Sequence, residues 1–453
     1  MGETHSLLEK AERIWRAGLA GVEPQRLVAG SVKRQGNWLL IRDRPFDLAA
    51  YENIFLIAFG KAAPAMAEGL LEILGDRVRA GLVIVLPGQK VSLSKMKIIE
   101  APHPWPDDRS CAAGREIIAL ARSAGVKDLV FFLLSGGGSA QVALPLPGLP
   151  LEDKKRITRE LMLRSADIAE INVVRKHLST VKGGRLAEAV FPAEGINLVI
   201  SDVIGDDLEA IASGPSHWDS STSADALAVL QKFELWETAP APVKQAILDG
   251  LAGRIPESLK KGHEAFKRVS SFIIGNNAMA LEAARREAEA AGFRTMVLTS
   301  SDGGEARAAA KAYTSLLAGL AGSWKKSGRP LCLISGGELT VCVKGDGQGG
   351  RNQEFVLAVL EEIAHRAEAG ALRRGNWLVA SLGTDGIDGN TDAAGAWAGP
   401  VISARAGELG LDIRSYLEAN DSHRFFERTG GLIVTGPTGT NVMDLRIFLL
   451  SPL

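Results

Sequence analysis

The stretch LVFFLLSGGGSA, residues 129–140, joins an unbroken apolar run to a serine and three glycines. A short apolar run that ends at turn residues is typical of a strand buried on both faces of a parallel sheet. The same order of apolar run, glycine and helical pattern recurs after residues 53–59, 197–200, 272–274, 331–334 and 377–382. It predicts repeated βα units and therefore an α/β fold with largely parallel, Rossmann-like sheets.

The length of the chain predicts two such α/β domains, because 453 residues exceed what a single core usually supports. Residues 237–268 lack strand character and carry three prolines, so we place the boundary there. The N-terminal domain then covers 1–240 and the C-terminal domain 265–453. Ligands of open α/β sheets bind beyond the carboxyl ends of the strands, so we expect the glycine-rich turns to meet in an active-site cleft between the domains.

The composition excludes several classes of protein. A net charge of −1 gives no overall attraction to nucleic acid or to an anionic membrane. Cys111, Cys332 and Cys342 are too few and too scattered for a disulfide framework or a zinc site. The apolar runs are far shorter than a membrane span, and the N-terminus reads as an amphipathic helix. We therefore expect a cytoplasmic protein with small-molecule substrates and no nucleic-acid or membrane partner, and leave a homodimer open.

Two cationic residues stand where an anionic ligand would bind. Lys61 follows Gly60 at the end of a predicted strand, a position suited to neutralising a phosphoryl group. Arg351 follows GDGQGG, residues 345–350, and opens a predicted helix, where it can bind phosphate or carboxylate in bidentate fashion. The alternative for Arg351 is a surface pair with an acidic neighbour such as Glu354.

GDGQGG also matches the dinucleotide fingerprint G-x-G-x-x-G. A dinucleotide site requires an acid about 20 residues further on, after a second strand, and here that position still lies in the helix. The preceding LTVCVKG, residues 339–345, looks like the return strand of a hairpin rather than a first parallel strand. We therefore interpret the glycines as letting the backbone approach an anion at the helix start.

Other glycine-rich loops fit phosphate binding better than nucleophilic catalysis. SGGGSA fails the nucleophile-elbow pattern G-x-S-x-G because Gln141 takes the place of the final glycine, and its small residues form a better anion nest. In GPTGTN, residues 436–441, threonine hydroxyls such as that of Thr438 can face a phosphate.

Acidic turns after two strands are candidates for a magnesium site. Asp385 and Asp388 form one set and Asp202 and Asp206 another, since magnesium typically takes one or two carboxylates plus substrate phosphate. Either set could instead consist of turn residues and helix caps.

The segment RKHLSTVKGGRLAE, residues 175–188, concentrates basic side chains around two glycines. Its His177, Lys182 and Arg185 are candidates to bind a substrate carboxylate, with the histidine as a general base. The alternative is a basic helix face with a structural histidine.

Eight segments together resemble the glycerate 2-kinase family, whose members carry a C-terminal domain called MOFRL. In chain order they are FGKAAPAM, LLSGGGSA, INVVRKHLSTVKGGRLA, LVISDVIGDDLEAIASGPS, ISGGELTV, GGRNQEFVLA, GTDGIDGNTDAAGA and TGPTGTNVMDLRI. They run from residue 59 to 447, so the resemblance covers nearly the whole chain. One departure is His423 in NDSHRFF, where the family usually carries tyrosine.

This resemblance implies ATP-dependent phosphorylation of D-glycerate at the 2-hydroxyl with Mg²⁺, and it implies catalytic roles for Lys61 and Arg351. The phosphate-facing positions that we assign to ATP are Ser135, Gly136, Gly137, Gly138, Ser139, Gly336, Gly337, Glu338 and Thr438. Two other classes are weighed against it, namely an NAD(P)H-dependent hydroxypyruvate reductase and a non-catalytic sugar-phosphate or nucleotide-binding regulator.

Overall fold

The structure is a computed structural model that describes residues 2–365, 370–373 and 375–451. The strands are β1 (Val32–Gln35), β2 (Trp38–Ile41), β3 (Arg44–Asp47), β4 (Asn53–Phe59), β5 (Val78–Val85), β6 (Met96–Glu100), β7 (Asp128–Leu134), β8 (Glu194–Ile200), β9 (Val269–Gly275), β10 (Arg294–Asp302), β11 (Leu331–Gly337), β12 (Asn376–Gly383), β13 (Gly395–Ala398), β14 (Leu432–Ile433) and β15 (Asp444–Ser451). The helices are α1 (Gly2–Ala20), α2 (Pro24–Ser31), α3 (Ala63–Leu74), α4 (Asp108–Ser123), α5 (Gly138–Gln141), α6 (Leu151–Leu163), α7 (Ile168–His177), α8 (Arg185–Val190), α9 (Ser223–Lys232), α10 (Ala241–Leu251), α11 (Asn277–Ala290), α12 (Ala306–Ser327), α13 (Arg351–His365), α14 (Gly370–Arg373), α15 (Pro400–Glu408), α16 (Ile413–Glu418) and α17 (Ser422–Thr429).

The chain forms two compact units. The N-terminal unit is Pro24–Gly275, and the C-terminal unit joins Asn276–Leu453 to the first segment, Met1–Glu23. In the described part of the chain, no helix is long and apolar enough to cross a membrane.

The N-terminal unit is built on a six-stranded sheet in the order β6-β5-β4-β7-β8-β9, and every neighbouring pair in it is parallel. Strand β7, which contains the LVFFLL run, is buried at every residue because β4 and β8 flank it and helices cover the sheet. Its Phe131 and Phe132 are among the largest fully buried side chains. The predicted buried parallel strand is confirmed, and the carboxyl ends of β4, β7 and β8 lie side by side.

The C-terminal unit has a mixed sheet in the order β10-β11-β15-β12-β13-β14. Only β10 and β11 pair in parallel, since β15 runs antiparallel between β11 and β12 and the remaining pairs are antiparallel. Two α/β domains are therefore confirmed, but the largely parallel sheet expected in both is found only in the N-terminal unit. The last strand of the chain inserts at the centre of the second sheet, a non-local pairing that no local βα pattern specifies.

The boundaries of the units differ from those predicted. Helix α10 lies inside the expected linker, yet its Val243 and Ile247 are buried in a core cluster with α6, α7 and α9. Strand β9 completes the N-terminal sheet, so the division falls after Gly275. Helix α1 belongs to the C-terminal unit because its Ile14 is buried in the same cluster as Leu281 of α11.

Candidate active site

Lys61 is fixed to the glycine-rich loop that follows β7. Gly60 has a φ of +114°, and a Cβ there would lie 2.2 Å from the Ser135 Oγ, so glycine alone allows this approach. The Lys61 N–H donates to the Gly136 carbonyl at 2.8 Å, and the Ala62 N–H donates to the Ser135 hydroxyl at 3.0 Å. The backbone on both sides of the Lys61 side chain is therefore held against this loop.

The Lys61 side chain, which is partly exposed, follows the same loop. A Cβ at Gly137 would lie 3.4 Å from the Lys61 Cγ and 3.1 Å from the His103 ring. A Cβ at Gly136 would lie 2.0 Å from the Asp202 carboxylate, which follows β8. The structure thus brings together Lys61, the predicted anion nest and one predicted metal ligand, and it adds His103, which no motif indicated.

The Ser139 hydroxyl, at the other end of the loop, lies among cations. Arg175 Nη2 donates to it at 2.5 Å and Lys182 Nζ at 2.7 Å, and the Ser213 hydroxyl lies 2.8 Å away. Burial together with the nearby Arg175 and Lys154 cations lowers the pKa of Lys182 well below its ordinary value. Burial also lowers the pKa of Arg175 to about 10. Lys182 therefore lies at the loop, and Arg175 from the same basic segment joins it; the substrate role of Lys182 stays a prediction.

The other two predicted substrate residues do not reach Ser139. The His177 ring is buried, with Nδ1 at 2.9 Å from the Val173 carbonyl and Nε2 at 3.0 Å from Glu257. Arg185 donates to backbone carbonyls, with the Pro256 oxygen at 3.0 Å. Both arrangements match the structural alternative for this segment, since the contacts with Glu257 and Pro256 tie α7 and α8 to the stretch before β9.

In the C-terminal unit, Arg351 opens α13 and binds two carboxylates. Its Nε and Nη2 donate to the two oxygens of Asp444 at 2.7 and 2.9 Å, and its Nη1 lies 2.7 Å from Glu338. Burial would lower the pKa of Arg351, but Asp444 and Glu338 outweigh it and raise that pKa. The surface alternative with Glu354 is not adopted, since Glu354 pairs with Arg307.

Asp444 is the main residue that sequence reasoning missed. It is fully buried at the start of β15 and also accepts a hydrogen bond from Asn352 at 3.0 Å. The signal available was weak: a lone aspartate opening an apolar strand, 93 residues from Arg351.

The GDGQGG loop is filled by protein groups rather than open to a ligand. Asn420 accepts the N–H groups of Lys344 and Gly345 at 2.7 and 3.0 Å, and Asp421 accepts that of Gln348 at 2.9 Å. A Cβ at Gly347 would lie 2.5 Å from the Asp421 Cβ, so glycine permits this packing. The hairpin strand expected at 339–345 is wrong: this described stretch forms one isolated bridge, at Thr340, and is otherwise loop.

The anion at the start of α13 is the protein's own Asp388. Its carboxylate accepts the N–H groups of Asn352 and Gln353 at 3.0 and 2.9 Å, and their side-chain amides at 3.2 and 3.0 Å. Burial raises the pKa of Asp388 to about 6 in spite of these donors. Asp388 is therefore a helix cap, the alternative weighed for this acid.

The remaining metal candidates are dispersed. Asp385 accepts a hydrogen bond from the Ile387 N–H at 3.2 Å within its own turn. Asp206 lies in a tight turn with a φ of +58°. Among the described residues no group of three or more His, Cys, Asp or Glu side chains could hold a metal ion. Any metal bound here would rely on few protein ligands.

The predicted nucleotide positions of the C-terminal unit have packing roles. A Cβ at Gly336 would lie 2.0 Å from the Asn277 amide, and one at Gly337 would lie 2.3 Å from the Asp302 backbone. The Thr438 hydroxyl donates to the Thr384 carbonyl at 2.6 Å. Glu338, in contrast, is exposed and pairs with Arg351.

Comparison with known proteins places these features in two separate family matches. Residues 10–248 match a family described as "Domain of unknown function (DUF4147)", and residues 331–444 match the "MOFRL family". Lys61, Ser139 and the cations around Ser139 fall in the first match, and Arg351 and Asp444 in the second.

Several relatives are similar over almost the whole chain. A Glycerate 2-kinase of Pyrococcus horikoshii is 38% identical over 97% of this chain and 96% of its own. A D-glycerate 2-kinase of Thermotoga maritima is 42% identical over 88% of this chain and 91% of its own. The crystal structure of a glycerate kinase from Thermotoga maritima covers 98% of this chain and 100% of its own, with a TM-score of 0.82 at 38% identity. A relative from Agrobacterium vitis, 38% identical over 97% of this chain and 93% of its own, is named a putative hydroxypyruvate reductase.

Proposed function

This chain belongs to the glycerate 2-kinase family, and from that membership we propose that it transfers the γ-phosphoryl group of ATP to the 2-hydroxyl of D-glycerate. Glycerate phosphorylation is the activity named for relatives that match 97% and 88% of the chain. Phosphoryl transfer needs positioned charge more than covalent chemistry. The residues that matter most for this activity are therefore the cations that the fold holds in fixed positions.

The observation that carries the proposal is the attachment of Lys61 to the SGGGSA loop at the carboxyl edge of the parallel sheet. The Lys61–Gly136 backbone hydrogen bond and the position of the lysine stem beside Gly137 hold this residue against a loop of small residues, the kind of loop whose backbone N–H groups bind anions. We assign Lys61 to neutralising the γ-phosphoryl group during transfer.

Arg351 takes the complementary role in the proposal. Asp444 holds Nε and Nη2 and so orients the guanidinium plane, while Nη1 pairs with Glu338, whose side chain is 44% exposed. A surface ion pair of this kind is weak, so a nucleotide phosphate can displace Glu338 from Nη1. Under this proposal Glu338 acts as a placeholder for phosphate, and the joint action of Arg351 and Lys61 on one phosphoryl group stays a prediction.

The N-terminal unit could hold Mg²⁺ only if the substrate phosphates and water supplied most of the ligands of the ion. Asp202 places one carboxylate against Gly136, and magnesium often binds one or two carboxylates together with phosphate and water. When bound, the ion would supply charge neutralisation to the phosphates. Asp202 is the residue that we propose to hold it; the four hydrogen bonds accepted by Asp388 make that carboxylate a poor ligand.

One assay tests the proposal against its alternatives. Purified protein is incubated with ATP, MgCl₂ and D-glycerate, and ADP release is followed. A parallel reaction contains hydroxypyruvate with NADH or NADPH. We expect D-glycerate-dependent ADP release and no oxidation of the reduced cofactor. Oxidation of NADH or NADPH with no ADP release would support the reductase, and ligand binding with no turnover would support the regulator.

The reductase gains no support from the fingerprint that suggested it, because Asn420 and Asp421 take N–H groups of the GDGQGG loop. The assignments of Gly336, Gly337 and Thr438 to the nucleotide stay predictions. So do the shared cleft, the cytoplasmic location and the homodimer.

A further inference from the structure

Ser139 connects the glycine-rich loop to a buried cationic cluster formed by Lys154, Arg175 and Lys182. Lys182 Nζ binds the Ser139 hydroxyl at 2.7 Å and the Ser139 carbonyl at 2.9 Å. Lys154 Nζ binds the carbonyls of Leu178 and Arg175 at 3.0 and 3.2 Å. All of these acceptors are uncharged. In the part of the chain that the structure describes, none of the three cations forms an ion pair with a carboxylate.

Such a cluster is costly while its members carry their charges, and a bound anion would offset that cost. Lys154 and Lys182 are almost completely buried, and Arg175 adds a third positive charge beside them. Buried charges usually have partners of opposite sign, because desolvation is costly. The neighbouring Lys176, by contrast, is buried and forms an ion pair with Asp219 at 3.0 Å, as is usual for a buried lysine.

The cluster is open toward the loop rather than sealed. Ser139 and Arg175 are partly exposed, whereas Lys182 lies beneath them. Within the described residues the Arg175 guanidinium makes one hydrogen bond, to Ser139, although it carries five N–H donors. A small anion that reaches Ser139 would lie within reach of the guanidinium N–H donors of Arg175.

The backbone beside the cluster is strained. Ala212 and Ser213 adopt φ values of +51° and +62°, in the left-handed region that non-glycine residues rarely occupy. This conformation places the Ser213 hydroxyl 2.8 Å from that of Ser139, and Ser213 in turn donates to Asn172 at 2.9 Å. Strain of this kind is concentrated at ligand sites, where the surrounding fold maintains it.

We propose that Arg175, Lys182 and Ser139 bind the carboxylate of glycerate. The proposal rests on the proposed function and adds the residues that recognise the acceptor. A guanidinium binds a carboxylate through two parallel hydrogen bonds, and the buried ammonium group of Lys182 supplies the second charge.

The position of the cluster also bears on which hydroxyl is phosphorylated. Ser139 lies two residues after Gly137, against which the Lys61 stem packs. In glycerate the carbon that carries the 2-hydroxyl is bonded directly to the carboxylate, whereas the 3-hydroxyl is one carbon further away. A carboxylate bound at Ser139 would therefore keep the 2-hydroxyl closer to this loop than the 3-hydroxyl.

The test compares Arg175→Gln and Ser139→Ala with a matched control, Arg109→Gln, which removes an exposed arginine paired with Asp107. Initial rates are measured with D-glycerate and with D-glyceramide, which lacks the charge, and with ATP varied separately. We expect the KM for D-glycerate to rise about 10- to 100-fold in Arg175→Gln and less in Ser139→Ala. The KM for ATP should change less than about twofold, and the preference for glycerate over glyceramide should fall. Arg109→Gln should match the wild type.

Binding is measured in addition, as the rise in Tm that D-glycerate causes without ATP, so that a loss of turnover alone does not decide the outcome. Arg175→Gln should lose this rise while keeping its own Tm within a few degrees and its KM for ATP. An unchanged KM for D-glycerate in a folded Arg175→Gln would overturn the carboxylate site, and an increase confined to the KM for ATP would reassign the cluster to the nucleotide. A wild-type protein with no D-glycerate turnover would overturn the proposed function itself.

Discussion

Arg351 and Asp444 form a bidentate ion pair, with Nε–Oδ2 and Nη2–Oδ1 distances of 2.7 and 2.9 Å and an aspartate that is fully buried. The pair joins the start of α13 to the start of β15. It leaves one guanidinium nitrogen, Nη1, directed at the exposed Glu338. Asp444 therefore sets the orientation of the Arg351 guanidinium, and Glu338 determines whether Nη1 is accessible to a ligand.

Asp444→Asn should both destabilise the fold and impair catalysis. Removing the charge leaves Arg351 without its buried partner and also deprives Arg446, which lies 3.6 Å from Asp444. We expect the free energy of unfolding, measured with urea, to fall by about 3–5 kcal/mol, as is usual when one member of a buried pair is lost. An unfolding curve that superimposes on the wild type would contradict this role.

Glu338→Gln is the matched change on the exposed side of the same arginine. Because a surface pair contributes little, the free energy of unfolding should change by less than about 1 kcal/mol. If Glu338 is a placeholder, the KM for ATP should fall, by up to about fivefold. A rise in that KM would mean instead that Glu338 itself contacts the nucleotide.

Lys61→Ala should abolish most turnover and leave the fold intact. The Lys61 side chain is partly exposed, and alanine keeps the backbone hydrogen bond from the N–H of residue 61 to the Gly136 carbonyl. We expect kcat to fall about 10²- to 10³-fold, the loss typical of removing a group that stabilises transition-state charge. Lys127→Ala, which removes an exposed lysine paired with Glu52, is the control for charge alone. A kcat near that of the wild type would exclude Lys61 from catalysis.

The double variant Lys61→Ala/Arg351→Ala tests whether both cations act on one phosphoryl group. Residues that act as a unit give losses that do not add, so the double variant should lose much less than the product of the two single losses. Multiplicative losses in kcat would show that the two residues act independently.

Gly60→Ala tests the contact between the ends of β4 and β7. The added methyl group would lie 2.2 Å from the Ser135 Oγ at a φ of +114°, so the Lys61 loop must shift. We expect loss of activity together with a destabilisation of about 1–3 kcal/mol or more. Gly88→Ala is the control, since Gly88 also has a positive φ, +78°, but no atom lies within 4 Å of its added Cβ. Equal effects of the two substitutions would mean that backbone conformation, rather than the contact with Ser135, explains the loss.

Asp388 should give the fold a distinctive dependence on pH. Burial raises its pKa from 3.8 to about 6, so the folded state holds a proton that the unfolded state releases between about pH 4 and 6. The stability due to this proton is complete below the unfolded pKa and is lost as the pH rises through the folded pKa. The wild type should therefore lose roughly 2 kcal/mol relative to Asp388→Asn between pH 4 and 6.5, measured by urea unfolding of both proteins. A constant difference between the two proteins over this range would contradict the shift.

Local sequence signals predicted the parts of the molecule that depend on neighbours in the chain. The LVFFLL run became the buried β7, and the glycine after β4 brought Lys61 to the SGGGSA loop. Lys182 lies at that loop too, although its neighbours His177 and Arg185 do not, because which side of a short helix faces the loop depends on the packing of the whole unit.

Features that depend on distant pairings could not be predicted in this way. Asp444 meets Arg351 across 93 residues, and β15 enters the centre of a sheet whose other strands precede it in the chain. Asp388 is a residue type that often binds metal ions. In the structure it instead caps α13, because Gly350 approaches it so closely that an added Cβ would lie 2.3 Å from the Asp388 carboxyl carbon. No local sequence pattern indicates either the Arg351–Asp444 pair or the capping of α13 by Asp388.

The identity of the phosphorylated hydroxyl decides whether the protein is a glycerate 2-kinase. The product formed from ATP and D-glycerate is examined by proton-coupled ³¹P NMR, in which phosphorus on C2 couples to one proton and phosphorus on C3 couples to two. We expect a doublet, from 2-phosphoglycerate. A triplet from the 3-phosphate, or no phosphorylated product at all, would contradict it.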